Sequence, residues 1–121
     1  MTEPTLYTRF CQLNTVLFSE AEQLRPALNC LRNAPAASTA LDTLARQAGM
    51  SRYQLIRAFR AATGMTPHAW QLNLRVNLAR EHIRAGDGIA DVAHRLGFAD
   101  QAHFQRVFKA YAGVTPGRFR V

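Results

Sequence analysis

The 121 residues are enough for one ordinary domain with a modest core, and too few for a catalytic domain joined to a separate regulatory one. An apolar fraction of 48% excludes a disordered tail. Fifteen Lys and Arg against eight Asp and Glu leave a net charge of +7, and a basic folded surface suggests a polyanionic partner.

Strand-like alternation is absent, and helical spacing dominates from the start. Leu6, Phe10, Leu13 and Leu17 form one face of a helix over 5–18. Ser19 and Glu22 have capping-box spacing and open a second helix to about Leu31, in which Pro26 marks either a kink or the true first turn. Asn33 to Ser38 is a short linker by composition. Residues 1–37 therefore read as a helical leader.

Beyond the linker the sequence repeats. Leu41, Leu44, Ala45 and Ala48 form a stripe ending at Gly49, and Ile89, Val92, Ala93 and Leu96 form the same stripe ending at Gly97. A second stripe follows each glycine, Leu55, Ala58, Phe59 and Ala62 in one copy, Phe104, Val107, Phe108 and Tyr111 in the other, with one extra residue in the second turn. The copies close alike, on Gly64-Met65-Thr66-Pro67 and Gly113-Val114-Thr115-Pro116. Each is a helix-turn-helix unit, over about 39–62 and 88–111. Between them a helix over about 67–85 is capped by Thr66 and started by Pro67. It carries apolar residues on two sides, including Trp70, and is expected to be the strut on which both units pack. A short helix over 116–120 ends the chain. The predicted architecture is all-α.

Wheel geometry at about 100° per residue turns Tyr53, Arg57 and Arg60 outward in the first unit, and Ala102, Arg106 and Lys109 in the second. The second helix of such a unit enters the major groove N-terminus first. Arg52, Tyr53, Ile56 and Arg57 are thus one set of candidate base readers; Gln101, Ala102, His103, Gln105 and Arg106 are the other. Arg60 and Lys109, one turn further along, suit phosphate. Charges cancel within residues 1–40, so the entire excess lies on the repeated part. Double-stranded DNA is the expected partner.

The residues from about Thr39 to Arg120 resemble the DNA-binding domain of the AraC/XylS transcription regulators. The second-unit signature is carried by Gly97-Phe98-Ala99-Asp100-Gln101-Ala102-His103-Phe104-Gln105-Arg106-Val107-Phe108-Lys109 and by Gly113 to Arg120; Leu44 to Ser51, Leu55 to Arg60 and Gly64 to Pro67 give a weaker first-unit match. The resemblance implies seven helices, with homeodomain-like units reading successive major-groove segments. Ile56, Asp100, Ala102 and Phe119 depart from the family's commoner residues. Asp100 is expected to be an N-cap, Ile56 to meet a thymine methyl or pack, and Phe119 to fill core.

Other chemistry is not indicated. Cys11 and Cys30 lack Cys-x-x-Cys spacing, and His68, His82, His94 and His103 have no metal-ligand pattern, so no metal or cofactor is expected. Paired carboxylates, an activated nucleophile and a phosphate-cradling glycine loop are missing from the sequence, which argues against an enzyme. No signal or membrane-crossing segment is visible, so the expected location is cytoplasmic. The competing function is a protein-interaction module gripping RNA polymerase or another regulator through the same helices. An effector ligand is expected only where a separate N-terminal domain exists in a longer parent protein.

Overall fold

A computed structural model describes residues 21–120. The expected helix over 5–18, the Ser19 capping box and Cys11 lie outside these residues.

The described residues form helices α1 (21–33), α2 (Leu41–Ala48), α3 (Arg52–Thr63), α4 (Pro67–Arg84), α5 (Ile89–Arg95), α6 (Gln101–Ala112) and α7 (Pro116–Arg120). Helix α1 already contains residues 21–25, so Pro26 is internal to it and does not mark its first turn.

Both units turn by the same local chemistry. Gly49 and Gly97 adopt left-handed φ values of +66° and +83° after α2 and α5. Their N–H groups bond to the carbonyls of Arg46 and His94, while the next residues, Met50 and Phe98, bond back to Ala45 and Ala93. These paired bonds are a Schellman stop, used twice. Each following helix opens on a side-chain cap. Ser51 Oγ accepts from the Gln54 N–H at 3.1 Å, with Gln54 Oε1 accepting from the Ser51 N–H in return. Asp100 Oδ1 accepts from the His103 N–H at 2.6 Å, as expected of an N-cap. Thr66 and Thr115 cap the two proline-started helices in the same way.

The buried side chains fall into two cores. Leu44, Ala45 and Ala48 of α2 and Leu55, Ala58 and Phe59 of α3 close over Leu24, Ala27 and Leu31 of α1. The helix read as leader thus completes the first unit's core. Ala62 was expected on this face and is exposed instead, because the packed stripe of α3 ends at Phe59. The second core joins Val76, Ala79 and Ile83 of α4 to Val92, Ala93, Leu96, Phe98, Phe104 and Phe108. Phe119 packs edge-on against Phe108, with ring centroids 5.5 Å apart.

Helix α4 serves both cores in series along its length. Its N-terminal turns present Trp70 edge-on to Phe59 at 5.9 Å, and its C-terminal half fills the second core. At the crossover, Gln71 and Arg75 are buried, although neither is one of the apolar residues that mark this helix as the strut. Burial pulls the Arg75 guanidinium below its ordinary pKa.

Candidate nucleic-acid interface

The capped N-termini place the candidate readers on the first two turns of α3 and α6. In α3, Arg52, Tyr53, Arg57 and Arg60 are exposed. Tyr53 is 69% exposed, the one large hydrophobic residue so open among the described residues, and the Arg57 guanidinium lies over its ring. Arg52 is engaged by Asp42 of α2, Nε to Oδ1 at 3.1 Å, in a solvent-exposed pair worth little to stability. Ile56 is half-buried and lines an open apolar pocket of about 310 Å³ with Leu31, Leu41, Leu44 and Pro67. Packing is therefore part of its role.

In α6, Gln101, Ala102, Arg106 and Lys109 are exposed, while His103 and Gln105 are half-buried. The His103 ring stands edge-on to Phe98 at 5.6 Å, and its Nδ1 is buried without a hydrogen-bond partner among the described residues. Equivalent positions of the repeat thus present Arg57 with Arg106 and Arg60 with Lys109 to solvent.

Sequence reasoning passed over another polar group. The Asp87 carboxylate, between α4 and α5, accepts from Arg95 Nη2 at 2.8 Å and contacts His82 Nδ1 at 3.1 Å; Arg120 of α7 donates to its carbonyl. The hydrogen bonds from Arg95 and His82 hold its carboxyl below the usual carboxylate range. This network ties α4, α5 and α7 together. Arg120 and Arg95 are partly occupied by it.

Among the described residues there is no group of three His, Cys, Asp or Glu placed to hold a metal ion, and no helix long and apolar enough to cross a membrane.

Two capped helix-turn-helix units on one strut, each presenting a basic second helix, define a two-unit helix-turn-helix protein. Residues 44–121 match the family model described as a helix-turn-helix domain. A putative AraC-like transcription regulator of Streptomyces lividans is 34% identical over 95 residues, covering 78% of this chain. The chain spans 31% of that regulator's length. A crystal structure of a transcriptional regulator with an AraC-type DNA-binding domain from Chromobacterium violaceum superposes with a TM-score of 0.76 at 27% identity, covering 83% of this chain and 90% of that one. The DNA-binding domain of the global transcriptional factor AdpA, solved with a target DNA, superposes at 0.74 with 28% identity, covering 80% and 88%. The chain belongs to the AraC/XylS family of helix-turn-helix DNA-binding transcription regulators.

Proposed function

We propose that the protein is a sequence-specific regulator that inserts α3 and α6 into successive major-groove segments of one duplex. The observation that carries this reading is the matched exposure of Arg57 and Arg106 on helices whose first turns are fixed by side-chain caps. A guanidinium presented there can make a bidentate contact with guanine through its planar fork. Arg52, Tyr53, Gln101 and Ala102 flank these positions. Ile56, His103 and Gln105 contribute through their exposed parts. Arg60 and Lys109 face phosphate. The similarity to AdpA's DNA-binding domain, solved in complex with a target DNA, supports DNA as the partner.

The DNA-binding unit on this reading begins with α1, because Leu24, Ala27 and Leu31 complete its first core. Its setting is the bacterial cytoplasm. RNA polymerase is a further partner to be tested, and an effector would need a domain outside this chain.

Binding of the purified chain to duplexes recovered from a random pool tests the proposal. Arg57→Ala and Arg106→Ala should each cost about 1–3 kcal/mol on a recovered duplex and little on random DNA. Equal losses on both would make these arginines phosphate contacts. An absence of salt-dependent DNA binding would overturn the proposal and favour the protein-interaction module.

A further inference from the structure

Beside the continuous strut α4, a second connection links the two units. The linker over 34–38, which joins α1 to α2 of the first unit, lies against the α5–α6 turn of the second. A Cβ placed on Gly97 would meet the Ala36 carbonyl oxygen at 2.2 Å, so the two backbones touch where only glycine fits. Gly49, its counterpart in the first unit, has open space in the same direction. The repeat is thus asymmetric, and only the second unit's turn is docked.

Arg75 occupies the crossing. Its Nε donates to the Pro35 carbonyl at 2.7 Å and its Nη2 to the Ala37 carbonyl at 3.3 Å, while Gln71 Nε2 donates to the same Ala37 carbonyl at 2.8 Å. The guanidinium lies over the Phe98 ring, 5.5 Å from its centroid. Phe98 in turn packs against Phe104 and His103, in the first turn of α6. One side chain therefore holds the first unit's linker and the aromatic ring that seats the second recognition helix. Arg75 is only 8% exposed, and among the described residues no carboxylate pairs with it. A buried cation is a poor way to gain stability, since apolar groups of similar volume usually do as well or better. Fixing one arrangement over its neighbours is the role such groups serve best.

We propose that Arg75 is a positioning residue that locks the distance and rotation between α3 and α6, and so determines which spacing of half-sites the protein accepts. The spacing rests on the two-helix reading above; the lock itself does not. One inserted base pair displaces the second half-site by about 3.4 Å and turns it by about 35°. A locked protein cannot follow both changes.

The lock is measured without DNA. Spin labels at Ala62→Cys and Ala110→Cys, both exposed, report the distance between α3 and α6 in a chain carrying Cys11→Ser and Cys30→Ser. With Arg75 present the distance distribution is expected to be single and narrow. Arg75→Met should broaden it while far-UV circular dichroism retains the helical content. Arg75→Lys keeps the charge but lacks the fork, and is expected to broaden it too; this milder variant serves if Arg75→Met fails to fold. An equally narrow distribution in the folded variant overturns the proposal, as does a broad one in the parent. On DNA, one inserted base pair between half-sites should weaken the parent about tenfold or more, the value of a bidentate base contact. The folded variant should lose much less. An insertion penalty unchanged in the variant overturns the assigned role in spacing. Failure of the parent to bind DNA would sink the two-helix reading and leave the lock to be judged by the distances.

Discussion

Arg57 lies over the ring of Tyr53, its guanidinium carbon 5.8 Å from the ring centroid. The corresponding pair in the second unit is Arg106 and Ala102, which offers no ring. Tyr53 thus gives Arg57 a ring to lie over on α3, a contact that Arg106 cannot make with Ala102. Such a contact at an exposed site is worth about 0.5–1 kcal/mol. Tyr53→Ala should weaken specific binding by about that amount, and Ala102→Tyr should strengthen it at the second half-site. Titrations of the two variants on one recovered duplex check both signs; a null result for Tyr53→Ala would remove the shelf from the account.

The two turn glycines should respond unequally to the same change. Gly49→Ala meets no neighbour and bears only the left-handed backbone strain, about 1–2 kcal/mol. Gly97→Ala bears that strain and also drives a methyl into the Ala36 carbonyl. Thermal unfolding of both variants should show the larger loss for Gly97→Ala. Equal losses would mean that the linker contact yields freely.

Asp87 should make the protein's stability depend on pH. Its folded pKa lies below the ordinary 3.8, through hydrogen bonds from Arg95 and His82. A depressed carboxyl contributes stability that is fully present above the unfolded value and is lost as pH falls through the folded one. Asp87→Asn should therefore unfold at lower temperature than the parent at neutral pH. The gap should close on acidification below about pH 4. A gap that persists at pH 2 would assign the effect to something other than the charge.

Strut length bears on the DNA. Helix α4 has 18 residues and so spans about 27 Å, whereas same-face major-groove segments repeat every ~34 Å. If α3 and α6 are held nearer than one groove repeat, the duplex must bend toward the protein to meet both. Circular-permutation gels on a recovered duplex should show position-dependent mobility. Straight DNA with both half-sites protected would contradict this.

What could be read in advance was what depends on neighbours in the chain. The turn glycines, the Asp100 and Thr66 caps and the outward wheel of Arg57 and Arg106 all follow from local geometry, and they delimited the helices to within a residue or two. What escaped depended on distant partners. Gln71 and Arg75 lie on a stripe of α4 that returns every four residues, from Pro67 through Ala79 to Ile83. Their polarity hid that stripe, since the acceptors that permit burial are carbonyls some forty residues earlier. The same holds for α1, whose Leu24, Ala27 and Leu31 formed an apolar face without a visible partner until α2 and α3 were folded against it. Among the candidate site residues, Ile56 and His103 fall on α3 and α6, but their half-burial follows from Leu44, Pro67 and Phe98 beneath them.

On the proposed function, one chain reads two major-groove segments with two equivalent helices. Selection of duplexes from a random pool, followed by alignment of the recovered sequences, tests it most directly. Two recurring blocks about one helical turn apart are expected, with Arg57→Ala relaxing only one block and Arg106→Ala only the other. A single block, or two blocks that respond alike to both substitutions, would contradict it.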